Sequence, residues 1–391
     1  MALLLGAQWV WDLYERFVSS HHAKKSRPVP LTQDPTYSSK DVSIIVPTID
    51  TDDAFADCLR LWLQHKPREI IIVTVERDFK NVQQLVEPVE DASAKITVLM
   101  APEANKRRQL QCGIDAATGE ILALVDDDVF WPSEENTLMP HLLAPFEDPE
   151  VGATCGLQSA EIPLERQNPH TITSYEAAAM HALNGQNNIQ AMRYAADGGC
   201  WFLSGRTVFA SAVIFKVPDF AHAFTHEFSG GRLRNTGDVF LSHWVQEHGW
   251  KLCIQNAPEA EVTTEVMPDS RYVKQMLRWQ RDGIHYFMRA VSANPGFWLC
   301  GSRKHPYSTR KMVDYLLKPI WSWVYILTWM WTMYNCHWMA VLYAAHFIYF
   351  RAATYGGLAR KYPYLGHKVW GAFPTRPLLS GARNLRLVHP G

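Results

Sequence analysis

The sequence predicts an α/β fold built on a mostly parallel sheet. Three observations predict it: four short, apolar, partly β-branched runs, helix-like segments between them, and polar residues gathered at the carboxyl ends of the runs. The runs are Val42 to Val46, Ile70 to Val75, Ile96 to Met100 and Ile121 to Val125. Between them, Ala54 to Gln64 and Lys106 to Ala116 have helical spacing, and in the second Leu110, Gly113, Ile114 and Ala117 share one face. Ligands of such sheets sit beyond the carboxyl ends of the strands. Those ends carry Thr48 and Asp50, then Glu76 and Asp78, and finally Asp126 to Asp128.

Ahead of the first run, Leu4, Ala7, Trp11, Tyr14 and Val18 recur at helical spacing, which predicts an amphipathic helix lying on a membrane or on the protein itself. Asp12, Glu15 and Arg16 interrupt its apolar stretch and no small-residue cleavage site follows, so it does not read as a signal peptide. His21 to Lys40, with Pro28, Pro30 and Pro35, reads as a linker. Beyond Asp128 the pattern predicts a strand around Val151 to Leu157, another at Cys200 to Leu203, and a helix at Val239 to Glu247.

From Pro319 to Phe350 run thirty-two residues without Asp, Glu, Lys or Arg, rich in Trp and Tyr. That exceeds the roughly 20 residues one membrane span requires. Arg310, Lys311 and Lys318 precede the stretch and Arg351, Arg360 and Lys361 follow it, a balance that fits an even number of crossings and a hairpin breaking near Asn335. The alternative is one buried or re-entrant helical segment that never spans. The expected organisation is an N-terminal helix and linker (1–39), a catalytic domain (40–285) and a membrane-associated C-terminal region (286–391).

A chain of 391 residues with net charge −1 and no Lys/Arg block offers no electrostatic footprint for nucleic acid. Its cysteines, Cys58, Cys112, Cys155, Cys200, Cys253, Cys300 and Cys336, are odd in number and form no C-x-x-C pair, which fits reduced thiols facing the cytosol. His222 and His226, four apart and followed by Glu227, have zinc-like spacing but no evident third ligand, and read as structural.

Three motifs carry chemistry. In Asp126-Asp127-Asp128, strand alternation puts Asp126 and Asp128 on one side, where their carboxylates can converge on a hard divalent ion, Mg²⁺ or Mn²⁺. Such an ion would relieve their repulsion and bind the two phosphates of a nucleotide-sugar. In Gln275-Met-Leu-Arg278-Trp279, helical spacing gathers an amide, a guanidinium and an indole on one face, suited to a pyrophosphate and an acceptor ring. Asp238, in Asn235-Thr236-Gly237-Asp238, is either a general base or a helix N-cap. Taken with the other two motifs, the base is the better reading.

With these motifs in this order the sequence resembles the inverting family-2 glycosyltransferases, the group of cellulose, chitin and hyaluronan synthases, and looks closest to the fungal polysaccharide-synthase-like type-2 enzymes. The resemblance spans about residues 40 to 285. It rests on Val42-Ser-Ile-Ile-Val-Pro-Thr48, Asn105-Lys-Arg-Arg-Gln109, Val125-Asp-Asp-Asp128, Gly199-Cys-Trp-Phe-Leu-Ser-Gly-Arg206, Thr236-Gly-Asp238 and Gln275-Met-Leu-Arg-Trp279. It implies a nucleotide-sugar-binding GT-A type domain in which Asp126 and Asp128 serve the nucleotide and a Mg²⁺ or Mn²⁺ ion and Asp238 is the base. Thr48, Glu76, Lys106, Gln275, Arg278 and Trp279 are then the expected donor contacts, with Ser204 and Gly205 on the acceptor side. Two departures stand out: Thr74-Val-Glu-Arg-Asp78 replaces the usual Asp-Asp-Gly-Ser, and a single Asp238 stands where many relatives have paired acids.

The resemblance implies transfer, with inversion, of a sugar from a UDP-sugar to an acceptor hydroxyl on a carbohydrate, a lipid or a small molecule, in cell-surface polysaccharide or glycoconjugate synthesis. The enzyme is expected at a membrane, its catalytic domain facing the cytosol, at the plasma membrane rather than the Golgi or endoplasmic reticulum. Single-sugar transfer, a nucleotidyltransferase and a silent nucleotide-sugar-binding partner are the alternatives.

Overall fold

A computed structural model describes residues 2–89, 94–134, 137–229, 232–233, 237–293 and 303–372. The chain forms two compact units interleaved in sequence. A sheet unit comprises Ser26–Ser159 and Gly198–Thr264, and a helical unit comprises Met1–Lys25, Ala160–Asp197 and Glu265–Gly391.

In chain order, α1 (Ala2–Ala23) opens the helical unit. The sheet unit follows with β1 (Val42–Pro47), α2 (Ala54–Gln64), β2 (Glu69–Val75), α3 (Phe79–Val86), β3 (Lys95–Ala101), α4 (Lys106–Ala116), β4 (Ile121–Val125), β5 (Val129–Phe130), α5 (Leu138–Leu143), β6 (Val151–Cys155) and β7 (Gln158–Glu161). After α6 (Ser174–Asp197) the chain returns with β8 (Thr207–Ser211), α7 (Ala212–Phe215), α8 (Pro218–Thr225), β9 (Phe228–Ser229), β10 (Arg232–Leu233), α9 (Asp238–Glu247), β11 (Lys251–Ile254) and β12 (Val262–Glu265). The helical unit ends with α10 (Arg271–Ala293), α11 (Pro306–Asn335) and α12 (His337–Lys361).

The main sheet has the order β11-β6-β8-β4-β1-β2-β3. β4, β1, β2 and β3, the four runs legible in the sequence, are parallel, and β8 runs antiparallel to both its neighbours. Every residue of β1, β2 and β4 is buried, which is why these strands read as unbroken Ile, Val and Leu instead of alternating. Helix α4 lies so close to the sheet that a Cβ on Gly113 would stand 2.3 Å from Ile45 Cγ2. One turn earlier, buried Gln109 donates from Nε2 to Thr48 O (2.7 Å) and Val73 O (2.9 Å). The close approach therefore lets one amide clamp the carboxyl ends of β1 and β2.

At the opposite edge, Glu69 Oε1 accepts from Ser43 Oγ, Thr118 N and Thr118 Oγ1, each at 2.7 Å, and Ser43 Oγ accepts from Gly119 N at 2.8 Å. Burial pushes the Glu69 carboxyl up, but the hydrogen bonds from Ser43 and Thr118 outweigh it and hold the group below its ordinary value.

In the helical unit, Ala177, Met180, Leu183, Met276, Tyr355 and Leu358 belong to one apolar core. Helix α6 starts with a capping box: Thr173 N donates to Glu176 Oε2 (2.8 Å) and Glu176 N to Thr173 Oγ1 (3.1 Å). Its last residue, Asp197, accepts from Tyr307 N (2.8 Å), Ser308 N (3.0 Å) and Ser308 Oγ (2.7 Å), satisfying the free amides at the start of α11. Helix α1 docks on the same unit, with Glu15 taking both Arg310 and Lys311 and Asp12 facing His346 at 3.2 Å.

One expectation needs correction. No strand forms at Cys200 to Leu203: Leu203 N donates to Ser242 Oγ (2.9 Å) and Cys200 O accepts from Gln246 Nε2 (2.8 Å), so α9 side chains satisfy this backbone and the strand starts at Thr207. The Pro-rich segment has no regular secondary structure and is held to the sheet unit: Val29 and Gln255 exchange two hydrogen bonds (2.9 and 3.1 Å) and Thr36 donates twice to Glu147. The helical break falls beside Asn335, at Cys336, and among the described residues no helix is long and apolar enough to cross a membrane.

Glu69→Ala leaves one amide and two hydroxyls without their acceptor and should cost on the order of 1–2 kcal/mol, read by urea unfolding. Because the folded-state acid is depressed, its contribution is present above its unfolded value and is lost as pH falls through the folded one. The wild-type excess over Glu69→Ala should therefore shrink in acid. A difference independent of pH would contradict this.

Candidate active site

The ladder between β4 and β8 runs one step past the strand, where Asp126 N donates to Arg206 O at 2.9 Å. The chain then turns, and three successive carboxylates are released at the carboxyl end of a fully buried strand. Each meets a different partner.

Asp126 is paired with the ammonium of Lys106. Lys106 is held there by its place in α4: Asn105 is the N-cap, its Oδ1 accepting from Arg107 N (2.9 Å) and Arg108 N (3.3 Å), so Lys106 is the first helical residue. Next to it, fully buried Arg107 pairs with Glu227 (2.8 Å), donates to Phe224 O (3.2 Å) and stacks over Phe224 and Phe240, tying α4 to α8 and α9. Burial pulls the Lys106 ammonium down, but Asp126, aided by Asp238 and Asp127, outweighs it and leaves the group above its ordinary value.

Asp127 ends a chain of hydroxyls. Its Oδ2 lies 2.6 Å from Thr48 Oγ1, Thr48 Oγ1 lies 2.7 Å from Thr51 Oγ1, and Thr51 Oγ1 lies 2.6 Å from Asp78 Oδ2. Two hydroxyl protons cannot serve three contacts. When Asp127 is protonated, it donates to Thr48, Thr48 to Thr51 and Thr51 to ionised Asp78, and all three are satisfied. The energetics agree: burial, then the charge of Asp128, push the Asp127 carboxyl up to about 7. Asp78 moves the other way, since burial is outweighed by hydrogen bonds from Thr51 and Asn81.

Asp128 is closely surrounded by protein yet exposed to water. Thr264 Oγ1 lies 3.2 Å from both its Oδ2 and its carbonyl oxygen. Burial and the charge of Asp126 push this carboxyl up, while the half-buried Arg206 guanidinium opposes them.

Asp238 is the first residue of α9, with Gly237 in the capping position; its Oδ1 accepts from Val239 N at 2.9 Å. It lines one cleft with Lys106, Asp126 and Gly205. A Cβ on Gly205 would stand 3.0 Å from Asp238 Cβ, so this glycine lets the head of α9 press against the cleft wall.

Asp126 and Asp128 offer hard oxygen donors at a place crowded with negative charge, which suits Mg²⁺ or Mn²⁺. Among the described residues no three His, Cys, Asp or Glu side chains gather to hold a metal unaided. The donor set therefore fits a cation held by one or two carboxylates, its shell completed by phosphate oxygens and water.

Thr48, Lys106, Asp126, Asp128 and Asp238 all belong to the sheet unit. Glu76 is exposed in the turn after β2, whereas Asp78 is committed to Thr51 and Asn81. Gln275, Arg278 and Trp279 lie on α10 of the helical unit, with Arg278 exposed and Trp279 half-buried against that unit's core. His222 and His226 stack ring on ring at 4.3 Å, and Glu227 is taken by Arg107. Gln109 and Arg206 are the positions that reading the sequence by motif passed over, and Asp127, expected with its neighbours in the metal-holding cluster, bonds instead to Thr48. Each sits inside a quoted motif, but its partner comes from a distant segment.

Residues 39–282 match the family described as Glycosyltransferase like family 2. The NDP-glycosyltransferase ltbB of Aspergillus luteorubrus is 48% identical over 95% of this chain and 91% of its own length. A type 2 glycosyltransferase of Zymoseptoria tritici is 35% identical over 76% of this chain and 63% of its own length. Among solved structures, the mannosyltransferase PcManGT of Pyrobaculum calidifontis, in complex with GDP-Man and Mn²⁺, superposes with a TM-score of 0.57 at 18% identity, covering 98% of this chain and 97% of its own. The sheet unit thus has a GT-A-like α/β fold.

An acid raised on folding favours the folded state below its unfolded value, and that contribution is lost as pH rises through the folded value, here between about 4 and about 7. Asp127→Asn supplies the donor to Thr48 permanently. It should stabilise the ligand-free protein by about 1–2 kcal/mol at pH 8 and by little at pH 5, after allowance for water at the cleft. Thermal unfolding at the two pH values checks this, and a loss of stability at pH 8 would refute the proton chain.

Proposed function

Because the chain belongs to the Glycosyltransferase like family 2 enzymes, which move sugars from nucleotide-sugars, we propose that it does so with inversion, using Asp238 as the base toward an acceptor hydroxyl. The observation that carries this reading is the shared cleft of Asp238, Asp126 and Lys106, which puts a candidate base beside the groups suited to a diphosphate.

In this reading Asp238 takes the acceptor proton as the acceptor oxygen forms its bond to the anomeric carbon. The bond from that carbon to the diphosphate breaks, and the leaving oxygen keeps the electron pair. Attack from the face opposite the leaving group inverts the centre. Lys106, at the head of α4, offers its ammonium and the positive end of the helix to the diphosphate. Bound to Asp126 and Asp128, a divalent cation would neutralise further charge on that leaving group. Arg206 opposes the burial and the Asp126 charge that push the Asp128 carboxyl up.

The expected donor is a UDP-sugar. With Asp78 committed to Thr51 and Asn81, exposed Glu76 is the acid free to accept the imide N–H of the base. A guanine edge presents comparable donors, and PcManGT was solved with GDP-Man, so both nucleotides belong in the test. The acceptor hydroxyl belongs to a glycan, a lipid or a small molecule, with cell-surface polysaccharide or glycoconjugate synthesis as the expected setting.

The test incubates purified protein and Mn²⁺ or Mg²⁺ with a panel of UDP- and GDP-sugars and measures nucleoside diphosphate release. Asp238→Asn should bind the donor normally and lose transfer by about 10²–10⁴-fold, the range for a general base. Asp128→Ala should weaken cation-dependent donor binding. Transfer by Asp238→Asn within about tenfold of wild type would remove the base assignment.

A further inference from the structure

The hairpin of α11 and α12 is built inside out. Across its charge-free stretch the polar side chains Thr328 and Thr332 are buried, while Trp321, Trp323, Leu327, Met330 and Trp331 are exposed. Beyond the break at Cys336 the pattern continues: Trp338 is 81% exposed, just past Tyr334 at 86%, and Ala340 and Tyr343 are buried. A helix bathed in water shows the opposite arrangement. Tyr325 and Tyr343 approach to 6.1 Å between ring centroids, so the two helices fold back on each other, and what they bury is their small and polar side.

Three polar side chains of the stretch bond to carbonyls of their own helix. Ser322 Oγ donates to Lys318 O (2.8 Å), Thr332 Oγ1 to Trp329 O (2.8 Å) and Asn335 Nδ2 to Trp331 O (2.9 Å). A non-aqueous solvent demands that internal closure. Charge is excluded from residues 319–350 and returns as exposed Lys318, Arg360 and Lys361 at the two ends away from the break. On the same unit, α1 exposes Val10, Leu13 and Phe17.

We propose that this hairpin inserts into one leaflet of a lipid bilayer, with its basic ends at the headgroups and the Tyr334–Trp338 break as its tip, and that it does not reach the far side. Length decides the depth. At 1.5 Å per residue, the charge-free part of α11 from Pro319 measures about 26 Å and that of α12 about 21 Å, both short of the ~30 Å hydrocarbon core. Composition agrees, because Trp and Tyr favour the interfacial zone over the bilayer centre. The lysine and arginine ends match the negative charge of anionic lipid headgroups, a complementarity that a purely apolar protein partner would not use. The proposal goes beyond the transfer reaction and is independent of it, so its failure would leave the catalytic reading intact.

The test adds full-length protein to preformed, sealed phosphatidylcholine/phosphatidylserine vesicles and measures co-flotation. Tryptophan quenching by lipids brominated at shallow or deep acyl positions is followed in parallel. A membrane-impermeant maleimide trapped in the lumen reports whether Cys336 crosses. Expected are co-flotation, stronger quenching by the shallow bromines and no lumenal labelling of Cys336. The double variant Trp331→Glu/Trp338→Glu should lose flotation by at least tenfold yet release nucleoside diphosphate as wild type does. Flotation unaffected by the variant, lumenal labelling of Cys336, or a stable soluble dimer that ignores vesicles would each overturn the proposal.

Discussion

Three adjacent carboxylates at the end of a buried strand are the constraint on which the site depends. Left to themselves they repel, and the fold answers with a different device for each: an ammonium against Asp126, the Thr48 hydroxyl and a raised carboxyl for Asp127, and a guanidinium field with a threonine hydroxyl for Asp128. Much of the surrounding architecture places those devices. Gly113 lets α4 close on the sheet, Gln109 locks it to the ends of β1 and β2, and Asn105 caps it so that Lys106 comes first. The buried Arg107–Glu227 pair joins the same helix to α8 and, through Phe240, to α9, the helix that begins with Asp238. The groups proposed to meet the diphosphate and the acceptor are thus held by one packed assembly within the sheet unit.

How much of this was legible in the sequence follows from what each part is made of. Strands β1, β2 and β4 were readable because a doubly covered parallel strand needs a continuous apolar run, and the partly exposed edge strand β3 was readable from its own Ile, Val and Leu. Cys200 to Leu203 showed why apolarity alone misleads: Trp201, Phe202 and Leu203 look like a strand, but Ser242 and Gln246 satisfy that backbone from a helix. The aspartate triplet and Asp238 stood out as motifs. The proton chain did not, because Thr48 and Thr51, Asp78 and Asp127 come from separate loops and no spacing links them. Nor did the sequence announce that 160–197 packs with the N- and C-terminal segments, since that division rests on contacts between residues far apart in the chain.

The helical unit follows a different logic from the sheet unit. Its interior resembles any packed bundle, with caps in place and Asp197 serving the start of α11 from the end of α6. Its α11–α12 hairpin reverses the usual distribution of polarity, and the aromatic character that lowers its apolarity is the character suited to a membrane interface. The same sequence feature that suggested two crossings thus accounts better for a shallow insertion. Neither charge-free helical part reaches across the hydrocarbon core, and Ser322, Thr332 and Asn335 bond to carbonyls of their own helix.

The most direct test of inversion is the configuration of the product. Nuclear magnetic resonance of the anomeric proton, recorded as a turned-over donor with an α-linked sugar is consumed, should show the newly formed linkage appearing as the β-anomer from the first turnover. An α-linked product at that stage would contradict direct displacement assisted by Asp238.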